Sequence, residues 1–136
     1  MKAFNFSLVV LVASLFFANC KKSSGSDTPT PSKSSSIEGI WKGGVGSGSE
    51  NPTTFYSFHI KAGGILEELS VTGLTKGIGT WKLDNGVFTG TYTYLPPSTN
   101  KYSVIGAFDP IKKQIVGNWG HGTNATNGGL WDMDKQ

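Results

Sequence analysis

From residue 37 onward, apolar and polar side chains alternate with the period of two that marks half-buried strands, and no window sustains a helical period. In residues 87–94, Thr89, Thr91 and Thr93 fall on one face and Phe88, Gly90, Tyr92 and Tyr94 on the other. Trp81 and Leu83 flank Lys82, and Tyr102, Val104, Gly106 and Phe108 share a face. β-Branched residues on one side and aromatics on the other describe one wall of a sheet with a packed face. Clusters rich in Gly, Pro, Asn, Asp and Ser interrupt the alternation at 46–52, 62–64, 73–76, 84–86, 96–100, 109–113 and 121–128. These breaks predict eight strands, at 39–45, 53–61, 65–72, 77–83, 87–95, 101–108, 114–120 and 129–134. The Asp84-Asn85-Gly86 turn predicts a tight hairpin with positive φ angles. Consecutive hairpin-linked strands predict an all-β fold, an antiparallel up-and-down barrel whose closure leaves no exposed edge. A two-sheet sandwich is the second architecture the pattern allows. Gly43, Gly90, Gly106 and Gly117, all inside strands, supply the bends a small barrel needs.

The pattern before residue 37 is of another kind. Met1-Lys2 opens a stretch that is almost wholly apolar from Leu8 to Ala18, broken only by Ser14. It is shorter than the ~20 residues a membrane-spanning helix needs, and it has the layout of a secretory signal. Cys20, the chain's single cysteine, follows Phe17-Ala18-Asn19, where cleavage would fall. This arrangement, with its Cys-Lys-Lys-Ser-Ser start, resembles a bacterial lipoprotein signal of the Bacteroidetes type, although Phe17 and Asn19 stand where the commoner pattern has Leu and a small residue. The resemblance implies acylation of Cys20, palmitate included, and a partner in the membrane itself. Two or three acyl chains, as such signals imply, anchor firmly. Lys21 stands where an aspartate would signal inner-membrane retention, which implies the outer membrane. Acidic residues of the kind that mark surface-exported relatives do not follow the cysteine, so the periplasmic face is preferred over the cell surface. Residues 21–36 are Ser, Thr, Pro, Gly, Lys and Asp with no apolar side chain. Such a segment predicts a disordered tether, its ends roughly 20–25 Å apart. The chain thus divides into a signal peptide at 1–19, a lipid-anchored tether at 20–36 and a barrel domain at 37–136.

This division changes the meaning of the charge. The net +3 comes from Lys2, Lys21, Lys22 and Lys33 against Asp27. The domain balances Lys42, Lys61, Lys76, Lys82, Lys101, Lys112, Lys113 and Lys135 against Glu38, Glu50, Glu67, Glu68, Asp84, Asp109, Asp132 and Asp134. The chain contains no arginine. A neutral domain without guanidinium groups excludes nucleic acid as the expected partner.

Gly-x-Trp occurs at Gly39-Ile40-Trp41, Gly79-Thr80-Trp81 and Gly117-Asn118-Trp119. The first copy, opening the first strand, resembles the signature of lipocalins and their calycin relatives, in which the tryptophan plugs one end of an eight-stranded barrel. Where lipocalins bring an arginine over that tryptophan from near the last strand, this chain has Lys135. A second likeness, in Phe88-Thr89-Gly90-Thr91-Tyr92 and Tyr102-Ser103-Val104-Ile105-Gly106, is to one hairpin of avidins. Both imply the same architecture, and neither carries a ligand across.

The chemistry-bearing residues do not assemble into a catalytic pattern. Glu67 and Glu68 are neighbours and point to opposite faces of a strand. Asp132 and Asp134 share a face near the C-terminus, and His59 and His121 lack ligand-like spacing. Gly44-Val45-Gly46-Ser47-Gly48 precedes no helix and offers no phosphate cradle. No enzyme activity, metal or cofactor is expected. The expected function is binding of a small hydrophobic ligand, with Trp41, Trp81, Tyr92, Tyr94, Tyr102 and Trp119 facing inward or toward the barrel ends, together with Phe108. Glu67, between Ile65 and Leu69 on one face, is expected to point inward, where an acid must be paired or serve a ligand. The alternative is a filled barrel acting through surface contacts with glycan or protein. An internal cavity lined by these aromatics separates the two. Ligand identity and oligomeric state do not follow from the sequence.

Overall fold

The structure, a computed structural model, describes residues 36–136; the signal segment, Cys20 and almost all of the tether lie outside the described residues. The strands are β1 (Gly39–Val45), β2 (Thr54–Lys61), β3 (Ile65–Leu69), β4 (Thr75–Asp84), β5 (Val87–Tyr94), β6 (Lys101–Asp109), β7 (Gln114–His121) and β8 (Gly129–Lys135). A single 3-10 turn, Ala62–Gly64, joins β2 to β3. Each strand pairs antiparallel with the next, and β1 pairs with β8, so the sheet closes into an up-and-down barrel. Closure excludes the sandwich. Asn85 and Gly86, at φ 48° and 80°, make the tight β4–β5 hairpin that the Asp-Asn-Gly sequence predicts.

β3 and β4 depart from the expected bounds for one reason. The turn between them closes early, with Ser70 donating its N–H to the Leu74 carbonyl and Gly73 donating to Ser70. β3 therefore ends at Leu69 and β4 begins at Thr75.

The barrel is narrow and its middle is filled. Trp41, Phe58, Ile60, Leu66, Phe88, Ile115, Trp131 and Met133 are fully buried, with the rings of Phe58 and Phe88 set edge-on to Trp131 at 5.9 and 6.1 Å. Room for these rings comes from glycines across the strands. Gly117 pairs with Trp131, Gly106 with Phe88, and Gly90 with Trp81. A Cβ on Gly106 would lie 2.9 Å from Ile115 Cγ2 and 3.0 Å from Trp131 Cζ2. One on Gly90 would lie 2.7 Å from Leu66 Cδ2. The outer wall mixes Lys42, Lys82, Thr93 and Asp134 with the exposed apolar side chains of Phe55, Ile65, Ile78, Val87, Val116 and Leu130, while the interior is apolar.

The two ends differ. At one end, Trp41 donates its indole N–H to Ile37 O at 2.7 Å and meets Phe108 edge-on at 5.9 Å, while Trp81 stacks on Phe88 and donates to Lys61 O. Short connections, 62–64, 85–86 and 110–113, lie at this closed end, and so does Ser36, whose carbonyl accepts from Lys135 Nζ. The longer connections 46–53, 70–74, 95–100 and 122–128 surround the other end.

Because the interior has no slack, Trp131→Ala should lower unfolding free energy by about 3–5 kcal/mol and Gly106→Val by about 1–3 kcal/mol. Urea midpoints at unchanged slope are the measurement. A Gly106→Val protein as stable as the natural one would show that the packing at Trp131 is loose.

Candidate functional site: a tyrosine-lined mouth

At the end ringed by the long connections the core gives way to a pocket of about 200 Å³, whose walls include Val45, Tyr56, Glu68, Lys76, Tyr92, Tyr94, Tyr102 and Trp119. Adjacent strands bring these side chains together by register: Glu68 pairs with Gly77, Gly77 with Tyr94, and Tyr92 with Tyr102. Tyr102 stacks on Tyr92 at 5.7 Å and lies 5.1 Å from Tyr94 and 6.0 Å from Trp119, so the rings form a continuous aromatic wall. His121 extends that wall to the rim, 5.3 Å from Tyr102 and 5.2 Å from Trp119.

A buried acid sits within this wall. Glu68 is only 3% exposed. Its Oε1 accepts from Lys76 Nζ at 3.0 Å and from the Tyr94 hydroxyl at 3.2 Å. Its Oε2 is buried and accepts no hydrogen bond. Beside it, the hydroxyls of Tyr56 and Tyr92 share one hydrogen bond at 2.6 Å, which uses one of their two protons, and the Tyr92 hydroxyl lies close enough to Glu68 to lower its pKa.

Lys76 reaches the mouth through an irregularity in pairing. Glu68 pairs with Gly77 and Leu69 with Thr75, so Lys76 is the extra residue of a β-bulge. Bulges re-aim side chains, and here the ammonium comes to lie on Glu68 and 5.0 Å from the centre of the Tyr94 ring. The bulge also breaks alternation in β3, since Glu68 and Leu69 are both buried.

Burial pushes the Glu68 carboxyl above the usual glutamate range; the hydrogen bond from Lys76, its charge and the tyrosine hydroxyls oppose the shift without cancelling it. Burial likewise raises the phenols of Tyr92 and Tyr94, with nearby charges adding to the Tyr92 shift, and Tyr56 rises well above the ordinary value for the same reason. For Lys76, burial alone would lower the pKa, but the bond to Glu68 and its charge outweigh this and raise it.

Of the residues singled out from sequence, Tyr92, Tyr94, Tyr102 and Trp119 converge on the mouth. Trp41, Trp81 and Phe108 belong to the opposite, closed end, where the first two spend their indole N–H groups on backbone carbonyls. Glu67 requires a correction: it lies on the outer wall, its Oε1 2.7 Å from Lys61 Nζ and its Oε2 3.6 Å from His59 Nδ1. Leu66 and Glu68 are the inward pair, and Ile65 is 45% exposed. In a strand this short, one phase holds Ile65, Glu67 and Leu69 and the other Leu66 and Glu68, so composition favours the phase that the fold rejects. A slip of one residue exchanges the faces. Tyr56, Glu68 and Lys76 were missed as site residues. Tyr56 was readable, because it alternates with Phe58 and Ile60. Lys76 had no signal, because a bulge leaves no mark in the hydrophobic pattern.

Among the described residues no group of three or more His, Cys, Asp or Glu side chains gathers as metal ligands. Comparison with protein-family models, with curated proteins and with solved structures finds no match for the chain.

The raised Glu68 value sets a pH dependence. The folded protein holds this proton where the unfolded chain has already lost it, so stability is highest below the ordinary glutamate range and falls as pH rises through the folded value. Glu68→Gln should remove that slope. It should also stabilise the protein at pH 7, because a neutral amide is less costly to bury than a carboxylate and Lys76, 46% exposed at its side chain, can turn to water. Melting curves between pH 4 and pH 8 test this; parallel profiles for the two proteins would contradict it.

Proposed function

We propose that the chain is a non-catalytic envelope lipoprotein, anchored to the outer membrane through acylated Cys20, whose lipocalin-like barrel binds one small molecule with an apolar face at its open mouth. The observation that carries the binding reading is the open, tyrosine-lined pocket of about 200 Å³, whose walls set the Glu68–Lys76 pair beside Tyr94 and Tyr102. Pockets of this kind bind through aromatic surface and a few placed polar groups, and here the Tyr94 hydroxyl and the Lys76 ammonium supply them. The filled middle of the barrel bounds the ligand: Phe58 and Trp131 occupy the space that a long acyl chain would need. A compact molecule fits this pocket better than the larger hydrophobic guest a hollow barrel would take.

The lipocalin-like reading draws support from the closed end. Trp41 is fully buried there, and Lys135 pairs with it across β1 and β8, its ammonium on the Ser36 carbonyl. A lysine thus stands in register with the buried tryptophan where the resemblance implies an arginine packed over it. The pocket holds one carboxylate, paired with Lys76, and His121 stands off at the rim, which favours binding over acid–base chemistry. The anchor reading rests on the Leu8–Ala18 run and Cys20, with the periplasmic face preferred.

Two measurements test these readings. Titrating the purified chain with a panel of small apolar and amphipathic compounds should give saturable quenching of tryptophan fluorescence, and Trp119→Phe should remove most of that response. Silence across the panel would overturn the binding reading. For the anchor, Cys20→Ser should move the protein from the membrane fraction to the soluble fraction of the cell; unchanged membrane association would overturn it.

A further inference from the structure

We infer that the mouth recognises a neutral oligosaccharide, one sugar ring lying in the tyrosine-lined pocket and the next across Trp119. The inference rests on the mouth-binding reading and names its ligand class. Beside the tyrosine pocket lies a second one of about 330 Å³, and Val45, Thr54 and Trp119 belong to the walls of both. The second is otherwise polar, with Ser47, Glu50, Asn51 and Thr53 from the β1–β2 connection. An indole therefore stands between two concavities.

That indole is fixed from two sides. Its N–H is donated to Gly46 O at 2.8 Å, and its ring lies on Gly128, where an added Cβ would come within 2.5 Å of Trp119 Cε3. With its N–H committed to the protein, Trp119 has only its ring to offer a ligand.

Charge and shape select among ligands. A cation would meet the Lys76 ammonium, already seated on Glu68 and near the Tyr94 ring. An anion would meet Glu68 in one pocket and Glu50 in the other. A long apolar chain would need the space held by Phe58 and Trp131. A neutral pyranose has faces of C–H bonds and an equator of hydroxyls that both donate and accept. The mouth matches both. Tyr94, Tyr102 and Trp119 offer ring surfaces, and the Lys76 ammonium and the Tyr94 hydroxyl, both seated on Glu68, offer polar contacts. Beyond Trp119, Asn51 and Glu50 supply polar groups for a second ring.

The test is an array of neutral α- and β-linked glycans probed with the full chain, followed by calorimetry on the best disaccharide and its constituent monosaccharide. At least one disaccharide should bind, and at least tenfold more tightly than the monosaccharide. Trp119→Ala should cost the disaccharide about tenfold or more. Because that change also removes a packed side chain, Asn51→Ala, in an exposed connection, serves as the second variant; it should weaken the disaccharide severalfold and leave the monosaccharide unchanged. Equal affinity for one ring and two would overturn the two-ring arrangement. If no neutral glycan binds while the apolar probe N-phenyl-1-naphthylamine does, the saccharide inference fails and mouth binding stands. If neither binds at millimolar concentration, both fail.

Discussion

The structure depends on fitting large rings into a closed sheet too narrow to hold them side by side. The solution is steric pairing across strands: Gly117 faces Trp131, Gly106 faces Phe88 and Gly90 faces Trp81. Each glycine removes a side chain where a ring needs the space, so aromatic bulk and its absence must be specified together. A domain of this size without a disulfide among its described residues has little else to stabilise it, and dense packing of rings is an effective use of a small interior. The polar face of each indole is managed in the same way. All four tryptophans donate their N–H groups to backbone carbonyls, at Ile37, Lys61, Gly46 and Asn118, so burial leaves none of those donors unmet.

Against that fully satisfied interior, Glu68 stands out. It occupies an inward position of β3, pairs across the sheet with Phe58 on one side and Gly77 on the other, and still has one oxygen without a donor. The bulge at Lys76 is the complementary irregularity. Regular pairing would send that lysine away from the mouth, and the extra residue brings its charge to the acid instead. The site is therefore where two rules of the barrel are relaxed together, alternation and complete hydrogen bonding. Such local departures from an otherwise consistent design are where function is to be sought.

Most of the architecture was legible because its signals repeat. Eight alternating segments separated by turn clusters leave few ways to connect them, and Asn85-Gly86 fixes one hairpin almost by itself. In β5 alternation runs unbroken along the strand, and in β5 and β6 the inward faces read from sequence are those that pack, although Ser103 on the outer face of β6 is also buried. β3 failed for the opposite reason: Ile65–Leu69 is short, bulged at one end and ambiguous in phase, and it carries the acid that matters. The three Gly-x-Trp copies looked equivalent in sequence but occupy opposite ends of the barrel, because strand direction alternates and the third lies on an odd-numbered strand near its end. Local sequence sets which way a side chain faces; distance along the strand sets which end it reaches.

Ser36 and Gln136 both lie at the closed end, Gln136 donating its N–H to Ile40 O. All four long connections lie at the other end. The entry of the chain into the domain and the tyrosine-lined mouth are thus held a barrel length apart. A residue inserted in 46–53 or 95–100 reshapes the mouth without disturbing how the chain enters the fold at Ser36. The two ends can change independently in such a molecule, which makes the barrel wall between them the part least free to vary.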